Sequence, residues 1–477
     1  MLFNSFDFAI FLPIIFILYW FVFNKNLRVQ NFLIVIASYV FYGWWDWRFL
    51  LLIIFSSGVD FIIGIGLVRY SGKRKRKLLL SASILVNIGF LGFFKYFNFF
   101  IQSFIEAFTF FGETIDTIQL NIVLPVGISF YTFQTLSYSI DVYRKKLEPT
   151  KNIISFFAFV SFFPQLVAGP IERATNLLPQ FYRKRIFDYQ NAVDGMRQIL
   201  WGLFKKMVIA DNCAEFANYA FNNSPEHSGS TLLLGAVLFS FQIYGDFSGY
   251  SDIAIGTSRL FGFNLMRNFA FPYFSRDIAE FWRRWHISLS SWFKDYVYIP
   301  LGGSKVRKII NIRNTFIIFL VSGFWHGANW TFIVWGLLNA IYFLPLSLLK
   351  RNRKNIEIVA FDKYFPSLAD TLKIILTYLL TVFAWIFFRA DSISHALQYI
   401  AGIFNITIFN TPDKNANEII TLVLLFMIIE WFGRKHEFAI SGCVKLNKYL
   451  QWCIYIIVML AIFVFSGKHQ EFIYFQF

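Results

Sequence analysis

Apolar blocks nearly long enough to cross a lipid bilayer recur along this sequence, and they decide its fold class before any motif is read. Residues 8–23 (FAIFLPIIFILYWFVF), 378–388 (YLLTVFAWIFF) and 449–465 (YLQWCIYIIVMLAIFVF) are three of them. With weakly polar neighbours added to the last two, they approach the ~20 residues a helix needs to span the hydrocarbon core. Lipid satisfies no backbone N–H or C=O, so a spanning segment is a helix or a strand of a closed barrel. Barrel strands alternate polar and apolar residues, and these blocks do not. The chain is therefore expected to be an all-α, polytopic helical membrane protein with roughly ten to thirteen spans. Only 15% of its 477 residues are charged, against roughly 25% in average globular chains. That excludes a soluble enzyme with one ordinary core.

The formal charge is +16, from 44 Lys plus Arg against 28 Asp plus Glu. The positive residues gather at the ends of apolar blocks: residues 72–77 (GKRKRK), 182–185 (YRKR), 305–308 (KVRK) and 350–354 (KRNRK). Short basic loops between spans mark the cytoplasmic side, so membrane lipids, not nucleic acid, explain the charge. Blocks at residues 6–23, 29–45 and 49–68 precede the first basic loop, and three crossings place the N-terminus outside. The start, MLFNSFDF, has no basic n-region and no small-residue cleavage site, which makes the first block a retained span. Cys213, Cys443 and Cys453 are odd in number and lack zinc-type spacing, so neither a disulfide framework nor a metal site is expected.

Further spans are expected near residues 78–94, 153–168, 232–244, 309–325, 330–349, 372–388, 418–432 and 449–465. Between residues 122 and 144, and again between 246 and 303, apolar residues mix with Gly, Pro and charge. Such segments suit re-entrant or interfacial helices, or backbone lining a cavity. The chain reads as a single integral-membrane domain over residues 1–477, with core motifs at about 122–345 and an aromatic tail at 467–477.

Four stretches carry chemistry. In residues 276–305 (RDIAEFWRRWHISLSSWFKDYVYIPLGGSK), Trp282, Trp285 and Trp292 interleave with Arg283, Arg284, His286 and Lys294. This is either an amphipathic helix at headgroup level or a cavity rim whose arginines attract an anion while His286 points inward. Residues 321–336 (VSGFWHGANWTFIVWG) set His326 among apolar residues. Ionisable groups at membrane depth are rare and usually face a functional cavity, and burial keeps an imidazole neutral and able to accept a proton. The bland alternative is an interhelical hydrogen bond. Gly323 and Gly327 leave room for another chain or a substrate, and Asn329, three residues on, shares the face if the helix continues. In residues 243–256 (IYGDFSGYSDIAIG), Asp246 and Asp252 are either a polar packing network, a helix cap at Phe247 or cavity residues. The tail GKHQEFIYFQF reads as an interfacial anchor, yet the eight residues from Ser466 to Tyr474 extend roughly 25 Å. That suffices to reach back halfway into a ~30 Å core.

Taken with LPVGISFYTFQTLSYSIDVYR (residues 124–144) and FFPQLVAGPIER (residues 162–173), these stretches resemble the membrane-bound O-acyltransferase superfamily. Within it they are similar to the bacterial alginate and peptidoglycan O-acetyltransferase group, which is related to the D-alanyl transfer protein of teichoic acid synthesis. The resemblance covers nearly the whole chain. It implies a funnel-shaped fold thinned at its centre, through which an acetyl group passes from cytoplasmic acetyl-CoA across the bacterial inner membrane. A separate SGNH-type acyltransferase would then complete transfer to a polysaccharide. It further implies that His326 is the catalytic histidine, that His286 is the second characteristic histidine of the same channel, and that Tyr474 receives the acyl group. Trp325, Trp330, Trp285, Asn329, Arg283, Arg284 and Asp246 are expected along the substrate path.

The donor that the resemblance implies, acetyl-CoA, is a thioester and already activated, so no permanently bound cofactor or metal is expected. His326 would take the acceptor hydroxyl's proton, while Trp325 and Trp330 keep the site dry. The rival class is a transporter or flippase for a lipid-linked sugar, with His326 as a proton relay. Transporters often carry internal repeats and matching broken helices, and the sequence has neither. A second rival acylates a protein or a lipid.

Overall fold

The computed structural model describes residues 1–110, 120 and 122–475, and every regular element among them is helical. The chain divides into two compact units, Met1–Ala192 with Ser258–Leu265 and Val193–Thr257 with Met266–Phe477.

The first unit carries α1 (Phe6–Ile17), α2 (Leu27–Asp46), α3 (Leu50–Arg69), α4 (Lys73–Leu91), α5 (Phe97–Phe110), α6 (Ile128–Tyr143), α7 (Ile153–Ser161), α8 (Phe163–Leu166) and α9 (Ala174–Leu177). Asn26 caps α2, its side-chain oxygen accepting from the Arg28 and Val29 amides, which meets donors the helix itself leaves unpaired. Away from water, buried polar groups must pair with one another, and α3, α4 and α6 do this around Asp60. Its carboxylate accepts from Ser83, Asn87 and Ser139, and Thr135 donates to Asn87 at 2.9 Å. Gly64 of α3 admits the Tyr138 ring, since a Cβ there would lie 2.5 Å from the phenol oxygen.

The second unit is built on α10 (Tyr189–Phe204), α11 (Asp211–Asn222), α12 (Gly229–Leu260), α13 (Ile278–Arg284), α14 (Ile287–Phe293), α15 (Lys308–His326), α16 (Trp330–Leu348), α17 (Leu368–Arg389), α18 (Ile393–Ile403), α19 (Asn417–Gly433) and α20 (Lys448–Phe465). A π-helical turn, Lys205–Ala210, joins α10 to α11. Six helical stretches among the described residues are long and apolar enough to cross a membrane: Leu27–Arg69, Lys73–Thr109, Gly229–Leu260, Trp330–Leu348, Leu368–Arg389 and Lys448–Phe465. The sequence suggested ten to thirteen, and two features account for part of the difference, while the expected spans at 6–23, 309–325 and 418–432 form helices that are not among the six. Leu27–Arg69 merges two expected blocks around the short turn Trp47–Phe49, and the block at 153–168 breaks at Phe162 into α7 and the proline-bearing α8.

The break expected at Asp246 is absent. α12 runs for 32 residues straight through it, so Asp246 heads no helix. The glycines there serve close packing instead: a Cβ on Gly249 would lie 2.8 Å from the Gly202 carbonyl of α10. The segment after α12 does break up as expected, into the short α13 and α14 with His286 between them.

α15 and α16 form a hairpin whose backbones touch. A Cβ on Gly323 would meet the Phe332 carbonyl, and one on Gly336 would meet the Phe319 carbonyl. Small residues at such positions let helices approach where lipid supplies no hydrophobic drive. Gly327 is extended, and its α-carbon lies against the Phe332 ring. What these glycines admit is therefore α16. Gly336→Ala forces the backbones apart and is expected to destabilise the protein by about 1–3 kcal/mol. At Gly58 nothing lies within 4 Å of an added Cβ, so Gly58→Ala should be neutral or slightly stabilising. Thermal unfolding in detergent checks the pair, and equal midpoints would refute the contact.

Candidate active site

His326 is the last residue of α15 and only 3% exposed. The helix stops there because Gly327 is extended and α16 begins three residues later, capped by Asn329. Four rings surround the imidazole: Trp325 at 4.8 Å, Trp335 at 5.0 Å, Phe388 at 5.4 Å and Tyr474 at 5.8 Å between centroids.

His286 is 1% exposed and adopts left-handed backbone angles, φ 42° and ψ 56°. A side chain held there costs of order 1–3 kcal/mol and persists only where surrounding structure fixes it. Asn268 does the fixing. Its side-chain oxygen receives His286 Nδ1 at 3.0 Å and the Ser288 hydroxyl at 2.9 Å, and its side-chain nitrogen donates to Ser251 at 3.0 Å. An amide oxygen only accepts, so Nδ1 carries the proton and Nε2 is the acceptor nitrogen. Burial pushes the His286 pKa down to about 3, which keeps the ring neutral at physiological pH.

Phe247 of α12 connects the parts. Its ring lies 4.6 Å from His286 and 4.5 Å from Tyr474, and the Trp325 ring lies 6.2 Å from His286. His286, His326, Trp325 and Tyr474 thus surround one aromatic cluster. Tyr474 arrives because the tail folds back from α20, with Phe472 and Ile473 buried. Its hydroxyl oxygen is buried, and burial raises the phenol pKa. Gln476 and Phe477, the last residues of the aromatic tail, lie outside the described residues.

The remaining expected residues sit differently. Trp285 is buried behind His286, packed on Trp385 at 5.1 Å and Phe281 at 5.5 Å. Trp330 is 49% exposed at the start of α16, and the rings edge-on to His326 include Trp335, not Trp330. Asn329 shares no helical face with His326: its amide caps Thr331 at 3.0 Å and donates to the Asp391 carbonyl at 2.8 Å. Neither arginine is held ready for an anion. Arg284 pairs with Glu280 at 2.8 Å, and Arg283 donates to the Asn352 and Asn355 carbonyls, the latter at 2.7 Å. Asp246 accepts the Ile473 amide at 2.7 Å and pairs with Lys206 at 2.8 Å. Asn268, Phe247, Trp335 and Lys206 were not singled out from sequence. Asn268 and Phe247 lie within or beside polar, aromatic runs that gave no reason to prefer them.

The family model described as "MBOAT, membrane-bound O-acyltransferase family" matches residues 80–388. A Pseudomonas aeruginosa protein named probable alginate O-acetylase is 39% identical, covering 89% of this chain and 79% of its own length. A Helicobacter pylori peptidoglycan O-acetyltransferase is 34% identical over 100% of this chain and 98% of its own. A Bacillus subtilis teichoic acid D-alanyltransferase is 26% identical over 58% and 71%. On the family match and the first two of these relatives, the chain belongs to the membrane-bound O-acyltransferase family.

Proposed function

We propose that this multi-pass O-acetyltransferase moves an acetyl group from cytoplasmic acetyl-CoA across the bacterial inner membrane, for O-acetylation of an envelope or exported polysaccharide. The observation that carries the reading is the position of Tyr474, whose ring lies 5.8 Å from that of His326. An anchor in the lipid interface would place that ring elsewhere.

His326 takes the proton from the Tyr474 hydroxyl as the phenol oxygen attacks the thioester carbonyl. The C–S bond breaks, and the thiolate takes up the proton from His326 to leave as CoA thiol. A buried phenol with a raised pKa does not ionise unaided, which is why the step needs a base. The product is an acetyl ester on Tyr474, still activated because phenolate leaves more readily than an alkoxide. His286, neutral and presenting Nε2, lies across the Phe247 ring from Tyr474 and orients groups in the site. An SGNH-type acyltransferase outside the membrane collects the acetyl group and selects the polysaccharide.

The names of the relatives support acetyl transfer to alginate-like or peptidoglycan acceptors. Matches to the D-alanyl transfer proteins are weaker and shorter, at 26% identity over 58% of this chain and 29% over 49%. That favours acetyl over D-alanyl as the acyl group. The family match replaces the transporter alternative with acyl transfer.

His326→Ala should lower acetyl-CoA turnover by purified protein about 10²- to 10⁴-fold; full activity would remove the base assignment. Tyr474→Phe keeps the ring and loses the nucleophile. With isotopically labelled acetyl-CoA, mass spectrometry should find label on the C-terminal peptide of the parent protein and none on this variant. Unimpaired polymer acetylation by the variant would leave the tail without a chemical role.

A further inference from the structure

We propose that Lys206, Asp211 and Asp246 form an ionic clamp that grips the main chain of the C-terminal tail and thereby positions Tyr474. Lys206 Nζ lies 2.8 Å from Asp211 and 2.8 Å from Asp246, and all three side chains are less than a tenth exposed. One ammonium is shared between two buried acid groups, and burial holds the Asp211 pKa up to about 7, so the cluster gains from further donors. The tail supplies one. The Ile473 N–H gives a hydrogen bond of 2.7 Å to Asp246. Lys206 in turn donates to the Gln470 carbonyl at 3.0 Å.

Hydrogen bonds to ionised groups are the strong ones, and buried charges deprived of partners are costly. The cluster is thus completed by the tail. Upstream the fit is close as well. The Gly467 amide donates to the Met207 carbonyl at 3.0 Å, and a Cβ on Gly467 would lie 2.8 Å from the Asn212 nitrogen. Asn212 donates to the Phe465 carbonyl at 2.8 Å. The ionic cluster meets the tail through the backbone of Gln470 and Ile473, whereas Gly467 has no room for a side chain and the Gln470 side chain accepts from Asn218. Ile473 immediately precedes Tyr474, which makes Asp246 the residue that sets where the phenol stands. Asp246 acts through the tail and touches no substrate; it is a positioning residue.

That Tyr474 receives an acetyl group rests on the function proposed above; the grip itself is independent of it. Hydrogen exchange of the C-terminal peptide in detergent tests the grip directly. In Asp246→Ala, amides of residues 467–475 should exchange at least tenfold faster while peptides of α16 keep their rates. Ile473→Pro removes the tail's donor and leaves the ionic cluster whole, and Ile473→Ala, which keeps the N–H, controls for the buried side chain lost with it; the proline variant covers the case in which Asp246→Ala fails to fold and should loosen residues 467–472 more than the alanine variant does. Unchanged tail exchange in the folded variants overturns the clamp. In turnover, Asp246→Ala should lower kcat about tenfold or more with KM for acetyl-CoA unchanged, and Asp246→Asn, which keeps an acceptor oxygen, should recover part of it. A fall in both parameters overturns the positioning role. If the tail loosens in Asp246→Ala while Tyr474→Phe leaves polymer acetylation intact, the clamp stands and the acceptor role of Tyr474 falls.

Discussion

A carboxylate in the middle of a long buried helix must find its compensation inside the protein, and Asp246 is such a group. α12 is the most enclosed of the six membrane-length stretches, with 83% of its most apolar window buried. Nothing apolar can balance a charge at that depth. Lys206, which pairs with Asp246, lies in the π-helical turn Lys205–Ala210, a local widening of the sort often found where a helix serves a function. The tail, Phe247 on the next residue of α12, and the aromatic shell of His326 are arranged around that one pairing.

The two histidines show how surroundings assign different tasks to one residue type. His286 is pinned through Nδ1 by Asn268, sits on strained backbone and is neutral. Its ring orientation is therefore fixed before any substrate arrives. His326 ends a helix and is enclosed by Trp325, Trp335, Phe388 and Tyr474. An apolar enclosure keeps out water, which in acyl transfer is the competing nucleophile. Behind them, Trp285, Trp335 and Trp385 pack on one another, with centroids 5.1 and 5.6 Å apart. This bulk resists collapse if an acyl group enters and leaves.

Much of the architecture is legible in the sequence because it follows from local pattern. The blocks read at residues 330–349, 372–388 and 449–465 became Trp330–Leu348, Leu368–Arg389 and Lys448–Phe465, since apolar length alone specifies a spanning helix. His326 stood out for the same reason, as an ionisable group in an apolar run. What could not be read is what depends on distant partners. Asp246 finds Lys206 forty positions earlier and Ile473 at a separation of 227, and no local spacing encodes either. Arg283 and Arg284 looked like anion-binding groups because their partners, a carboxylate one helical turn back and a loop some seventy residues on, do not mark them as occupied. Gly323 and Gly327 suggested space for a substrate, whereas the space is filled by α16 and Phe332.

The division between main-chain grip and side-chain chemistry has a consequence for how a carrier tail would work. Acetylating Tyr474 would change a side chain and leave the Ile473 N–H and the Gln470 carbonyl as they were. The ionic contacts therefore do not distinguish a loaded tail from an empty one. The distinction falls to the aromatic cluster of Phe247, Phe472 and His326 around the phenol. There an acetyl group adds volume where a close-packed interior has little to spare. In the proposed scheme the clamp sets the resting position of the tail, and steric pressure from the new ester supplies the bias toward release. Grip and release then reside in different contacts, so each can be tuned without loss of the other.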